Sequence, residues 1–374
     1  MIRTPTLIIG AGPAGLAVAG RLRQRNSEFL IIEKGGHVAE SWHHHYDRLQ
    51  LHTVKRLSHL PGFPFPVHYP RYVPRQLLVD YYKDYARRFD IEPRFGVEAL
   101  SVSPADGGWL TSTGTDGDLL SSAVVMATGV NRVPTRPQLA GEGEFLGVVL
   151  HSRDYKNPRP FQGMRVLVVG MGNTGAEIAL DLCEHGVPVS ISVRGPVNVL
   201  PRDVLGRPTQ LTAMMLARLP FDLGNSIGSF LRRLTVGDLT RFGIATPRIA
   251  PIEQLRVHGK TPVIDLGTVA RIKAGDIGVH GAIERLGSTT VRFDDGMERP
   301  FDAIILATGY QPRVEDLLGD VSGLLDRNGA PADVVGTGPY QGLFFTGFNN
   351  YQPGGILGTV VQESEQIVER ITPG

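Results

Sequence analysis

Apolar positions along the chain fall into short runs that end in glycine, and two of these runs feed the same turn. Residues 6–9 lead into Gly10, Gly12 and Gly15. Residues 14–25 then carry a helical pattern, and residues 29–32 form a second apolar run that ends in Glu33. Further on, Val168 and Val169 lead into Gly170, Gly172 and Gly175. A helical pattern over 175–184 and an apolar run over 189–193 follow, the latter ending in Arg194. Each stretch predicts a strand–helix–strand unit of about 30 residues.

The repetition extends beyond these units. Residues 109–129 and 289–309 both alternate apolar and polar positions and close on an apolar strand ending in Ala-Thr-Gly. Each contains an Asp-Gly pair suited to a hairpin turn, Asp116-Gly117 and Asp295-Gly296. The pattern therefore predicts, twice over, a βαβ unit, a β-meander and a buried strand that returns to the sheet. The fold class is α/β, with two Rossmann-like dinucleotide-binding domains built from parallel sheets and β-meanders. The expected first domain is discontinuous, residues 1–160 with 295–374, and the second, 161–294, is inserted in it. Residues 205–250 read as helices broken by proline and glycine, an insertion within the second domain.

Composition narrows the classes. A chain of 374 residues has room for two domains. A net charge of +1 supplies no basic field for nucleic acid. The single cysteine, Cys183, excludes an intrachain disulfide and a Cys-x-x-Cys dithiol, which fits a reducing cytoplasm. No apolar run approaches the roughly 18–20 residues of a membrane span, and the chain enters its first strand without a signal-peptide pattern. His43, His44 and His45 are adjacent and have no acidic or Cys partners at ligand spacing, so no metal is expected. Met214 and Met215 read as helical core, and Arg232-Arg233 as a solvated helix face.

The glycine turns carry the chemistry. The first glycine permits the sharp turn, the second lets a pyrophosphate approach the backbone, and the third lets helix pack on strand. The helix N-terminus then offers free N–H groups and a positive dipole to the phosphates. Glu33 can accept hydrogen bonds from ribose hydroxyls and would repel a 2′-phosphate, whereas Arg194 would attract one. The first turn thus suits FAD or NAD, and the second NADP. A chain holding both reads as a flavoprotein reduced by NADPH.

Between the turns, Phe145, Gly147, His151, Tyr155 and Lys156 match Phe-x-Gly-x-x-x-His-x-x-x-Tyr-Lys. This resembles the fingerprint of the class B flavin-containing monooxygenases. The stretches YDRLQLHTVKRLSHLPGFPFP (46–66), VVGMGNTGAEIALDL (168–182), GKTPVIDLGTVARIKAG (259–275) and ILATGYQP (305–312) look more narrowly like the YUCCA-type monooxygenases. The resemblance implies FAD in the first domain and NADPH in the second. It implies a flavin C4a-(hydro)peroxide formed with O₂, and oxidative decarboxylation of an aryl 2-oxo acid such as indole-3-pyruvate. N- or S-oxygenation of a small amine or thioether is the alternative.

The residues this places at the FAD site are Gly10, Gly12, Gly15, Glu33, Lys34, Trp42, Thr128 and Gly129. At the NADPH site it places Gly170, Gly172, Asn173, Thr174, Gly175 and Arg194, and Thr308, Gly309 and Tyr310, at the end of the second returning strand, are further cofactor-binding candidates. His52, Lys55 and Asn350 are the candidate catalytic polar groups. His52 stands where heteroatom-oxidising members carry Asn, and so favours the carbonyl branch. The expected partners are a small-molecule substrate and O₂, and a homodimer is compatible with the sequence.

Overall fold

The computed structural model describes residues 1–114 and 117–372, so the Asp116 half of the first expected hairpin turn lies outside the described residues. The chain divides into two units. One contains Met1–His44, Thr53–Val133 and Tyr310–Gly374; the other contains His45–His52 and Pro134–Gly309.

The first unit is built on a seven-stranded sheet. Strand Ile2–Ile9 lies at its centre, parallel to Leu30–Glu33 on one side and Leu119–Met126 on the other. The outer half of Ile2–Ile9 alternates in exposure and its last four residues are wholly buried, as a central parallel strand requires. Leu119–Met126 shares its far edge between two partners. Its first half pairs antiparallel with Gly108–Thr113 of the meander, and its second half pairs parallel with Leu343–Phe345. Helix Pro13–Gln24 buries Ala14 through Gly20 and Leu22. It is gripped by the C-terminal helix Gly355–Ile371, where Arg21 donates to Ser364 Oγ at 3.1 Å and to the Val361 carbonyl at 3.1 Å.

The second unit repeats the scheme with a five-stranded, all-parallel sheet. Its order is Ile277–His280, Val189–Ser192, Val166–Val169, Ala303–Leu306, Val148–His151. Helix Asn173–Glu184 joins Val166–Val169 to Val189–Ser192. The three-stranded meander Ile283–Leu286, Thr290–Phe293, Glu298–Pro300 precedes the returning strand, and its second hairpin turns on Asp295-Gly296, with Phe293 N–H bonded to the Met297 carbonyl at 3.0 Å.

The boundaries differ from those the sequence suggests. Residues 134–160 and 295–309 belong to the second unit, and so do residues 45–52. Each copy of the repeat closes on itself: Ala303–Leu306 pairs with Val166–Val169 just as Leu119–Met126 pairs with Ile2–Ile9. The returning strand therefore completes its own sheet rather than passing to the other.

Segment His45–His52 is held to helix Asn173–Glu184 by charge and packing. Tyr46 is buried in the second core, Arg48 contacts Glu184 at 2.9 Å and Asp181 at 3.6 Å, and Asp47 N–H bonds to the Lys156 carbonyl at 2.9 Å. The expected insertion contains helices Thr209–Leu216 and Phe221–Thr235, followed by Pro251–His258. Met215 is 48% exposed, so the pair Met214-Met215 is not simply helical core.

Candidate functional site

In the first unit the three glycines have separate duties. Gly10 takes φ of +108°, and a Cβ there would lie 2.6 Å from the Ala127 carbonyl oxygen. A Cβ on Gly15 would stand 1.9 Å from the Gly10 carbonyl oxygen, so this glycine lets helix meet strand. Gly12 differs: its Cβ would meet nothing within 4 Å. It caps helix Pro13–Gln24 without any side-chain cap, leaving the first-turn N–H groups facing that open cradle. Glu33 is fixed beside it, accepting from Ala11 N–H and Gly35 N–H at 2.9 Å each. Both carboxylate oxygens keep a lone pair for a ribose hydroxyl. Thr128 Oγ1 is buried with no hydrogen-bond partner, an orphaned group that a bound ligand would satisfy. The cradle, the fixed carboxylate and the orphaned hydroxyl fit the pyrophosphate and ribose of FAD.

The other first-unit candidates are placed as follows. Gly129 has φ of +77° with open space around its Cα. Trp42 is half-buried, tilted against Tyr82 at 6.0 Å. Its helix follows Ala39, held in the left-handed region at φ 56° with its N–H on the Ala11 carbonyl at 2.9 Å. Lys34 is exposed, its ammonium 3.9 Å from Glu98, and contributes a surface ion pair. Tyr310 begins the last segment of this unit. Asn350 is half-buried in the loop before helix Gly355–Ile371, where its neighbour Asn349 accepts from Tyr351 N–H at 3.0 Å.

Lys55 is committed elsewhere. Its ammonium donates to the carbonyls of Val67 at 2.7 Å, Tyr69 at 2.6 Å and Pro66 at 3.4 Å. All three N–H groups are thereby used in stapling the loop that follows LPGFPFP. Tyrosines hold the same loop. Tyr81 Oη accepts from Leu60 N–H at 2.7 Å and donates to the Phe63 carbonyl at 2.6 Å, and Tyr85 Oη donates to the Pro61 carbonyl at 3.1 Å. Burial pushes both phenols well above their ordinary range. Lys55 is thus placed as a staple of this loop.

The second turn is built like the first. Gly170 has φ of +104°, a Cβ on Gly175 would lie 2.0 Å from the Gly170 carbonyl oxygen, and a Cβ on Gly172 would meet nothing within 4 Å. Asn173 Oδ1 accepts from Ile264 N–H at 2.6 Å, tying the helix start to a neighbouring strand, and Thr174 is half-buried beside it. Arg194 is exposed and has no hydrogen-bond or ion-pair partner among the described residues, so its guanidinium is available to a 2′-phosphate. The Thr308 hydroxyl donates to the Thr135 carbonyl, unlike its orphaned counterpart Thr128. Gly309 (φ +86°) receives Thr135 N–H at 2.9 Å. These features fit NADPH.

The sequence fingerprint turns out to be scaffold. Phe145 is buried in a core cluster, and a Cβ on Gly147 would lie 2.4 Å from the Asp302 carbonyl oxygen. His151 is buried between Arg153 N–H, which its Nδ1 accepts at 3.2 Å, and the Gly309 carbonyl, to which Nε2 donates at 3.2 Å. Burial holds its pKa below the ordinary imidazole value. Tyr155 donates to Asp181 at 2.7 Å, and Lys156 to the Arg153 carbonyl at 3.1 Å.

His52 has a partner that the sequence does not announce. Its Nε2 lies 2.8 Å from Oε1 of Glu177, a carboxylate only 2% exposed on helix Asn173–Glu184. The contact is close but off hydrogen-bonding geometry, and both Glu177 oxygens and His52 Nδ1 are otherwise without partners. His52 is the titratable side chain that faces that buried carboxyl group. A charged residue inside the apolar helix GAEIALDL is the signal that could have revealed it.

Comparison with known proteins agrees with this geometry. A family model described as flavin-binding monooxygenase-like matches residues 8–320. The chain is 40% identical to indole-3-pyruvate monooxygenase YUCCA6 of Arabidopsis thaliana, over 98% of this chain and 90% of that protein. Among solved structures, a flavin-containing monooxygenase from Stenotrophomonas maltophilia superposes with a TM-score of 0.74 at 21% identity, covering 98% of each chain. A bacillithiol disulfide reductase from Bacillus cereus has a TM-score of 0.72 at 19% identity, over 99% of this chain and 98% of that one. The fold alone therefore serves different chemistries.

Proposed function

Since the chain belongs to the flavin-binding monooxygenase-like family, we propose that this FAD- and NADPH-dependent monooxygenase acts on an aryl 2-oxo acid such as indole-3-pyruvate. The reaction consumes the 2-oxo acid, O₂, NADPH and a proton. It yields the carboxylic acid shortened by one carbon, CO₂, NADP⁺ and water. FAD, when bound, accepts hydride and activates O₂. The observation that carries the cofactor reading is the contrast between a fixed Glu33 at one glycine turn and a free Arg194 at the other. The name of the 40%-identical relative supports the substrate class.

In this reading the first unit holds FAD. Gly12 and the first-turn N–H groups take the pyrophosphate, Glu33 the adenosine ribose, and the Thr128 hydroxyl a further polar atom. Trp42, on its short helix, and Asn350, in the loop before helix Gly355–Ile371, are the residues we assign to the flavin end. The second unit holds NADPH through Gly172, Thr174 and Arg194. His52, 2.8 Å from the Glu177 carboxylate, is the polar side chain we assign a catalytic role. A dithiol relay is not the reading, because disulfide exchange needs two thiols and the chain has one cysteine. The lone cysteine also accords with a cytoplasmic place of action.

The test is product analysis with NADPH and O₂. Indole-3-pyruvate and phenylpyruvate should release one CO₂ per NADPH, while a thioether should be a poor substrate. Rapid sulfoxide formation without CO₂ release from either oxo acid would reverse the substrate assignment.

A further inference from the structure

Helix Phe221–Thr235 presents its apolar side outward. Leu223, Phe230 and Leu234 are 50%, 61% and 67% exposed, and with Ile227 they occupy positions spaced by three and four residues. The reason is the opposite seat. Gly224 approaches the Leu216 carbonyl so closely that a Cβ would lie 2.7 Å away, and a Cβ on Gly228 would meet Ile252 Cδ1 at 3.4 Å. The helix lies down on its glycines, and rolling it to bury the larger side chains would lose that approach. Met215, Leu219 and Leu205 add exposed apolar surface in the preceding segment. Chains that stay free in water seldom expose so continuous a stripe.

Charge points to the occupant. Residues 202–260 hold nine Arg and Lys against four Asp and Glu, in a chain whose net charge is +1. Arg207, Arg218, Arg233, Arg241, Arg248, Arg256 and Lys260 are all exposed. A second copy meeting this segment about a two-fold axis would bring its excess of like charges together. An anionic surface that is soft and apolar beneath would accept both the stripe and the cations. We propose that this helix seats the protein on a lipid bilayer carrying anionic headgroups, lying in the interface plane. Among the described residues no helix is long and apolar enough to cross a membrane, so attachment is to the surface only.

The experiment is sedimentation of the FAD-loaded enzyme with vesicles of phosphatidylcholine and phosphatidylglycerol in equal parts, beside vesicles of phosphatidylcholine alone. The wild type should bind the anionic vesicles, and about 0.5 M salt should weaken that binding. The double variant Phe230→Asp/Leu234→Asp should bind at least about tenfold more weakly while keeping its flavin. Arg233→Glu, a surface change, should weaken binding to anionic vesicles and leave the neutral ones unaffected. Absence of wild-type binding to anionic vesicles overturns the proposal. So does light scattering that shows a dimer split by Phe230→Asp/Leu234→Asp, which would make the stripe a self-association face.

Discussion

His52 Nε2 stands 2.8 Å from the carboxylate of Glu177, and neither oxygen of that buried carboxylate has a hydrogen-bond donor. A buried carboxyl group without hydrogen bonds is costly, and more so when its one polar neighbour is removed. His52→Leu should therefore destabilise the protein by roughly 3 kcal/mol. His52→Leu/Glu177→Leu should recover most of that loss, since an apolar pair needs no compensation. Thermal unfolding of the three proteins checks this. Additive losses would mean that the two residues do not act as a pair.

Arg194 is the free cation at the second turn. Arg194→Ala should raise KM for NADPH by about tenfold to a hundredfold, the effect of losing a charge-assisted pair, and leave KM for NADH nearly unchanged. An unaltered preference for NADPH would remove Arg194 from the cofactor site.

Gly12 and Gly15 should fail differently. Gly12 has an ordinary φ of −76° and open space for a Cβ, so Gly12→Val should fold and purify without FAD. Gly15→Ala places a Cβ 1.9 Å from the Gly10 carbonyl oxygen and should damage the fold itself. Circular dichroism with flavin absorbance separates the two outcomes. A fully yellow Gly12→Val protein would contradict the assignment.

Glu363 predicts a pH effect. It is buried on helix Gly355–Ile371, and Oε2 accepts from Thr346 Oγ1 and Gly347 N–H at 2.9 Å each. Burial pushes its carboxyl above the ordinary value of 4.5, outweighing those hydrogen bonds. The folded state thus prefers the protonated form. Its contribution is complete below pH 4.5 and declines as pH rises through the raised value. Glu363→Gln keeps an acceptor and should lose this decline, gaining stability relative to wild type at neutral pH. Glu363→Leu strands both donors and should be less stable than Glu363→Gln at every pH. Melting temperatures of the variants from pH 4 to 8 read the difference.

The parts of the site that are legible in the sequence are local. A glycine turn, its helix and the residue ending the next strand lie within one βαβ unit, so Glu33 and Arg194 stand out. The partners of Lys55 are backbone carbonyls of residues 66, 67 and 69, which carry no mark in the sequence. The pairing of Glu177 with His52 is not legible locally, because the two lie far apart along the chain. The returning strand 303–306 looks the same whichever sheet it joins, and only pairing with Val166–Val169 decides it. The amphipathic pattern of 221–235 is visible, but periodicity does not say which side faces water. Gly224 and Gly228 do.

Segment His45–His52 gives the second unit an odd pedigree. A gene fragment encoding 134–309 would contain every strand of the five-stranded sheet, yet it would leave Asp181 and Glu177 without Arg48 and His52. Such a fragment should be soluble only in company, and a synthetic octapeptide of residues 45–52 is the natural complement to offer it. The unit is thus a two-piece body whose smaller piece was drafted from an earlier stretch of the chain.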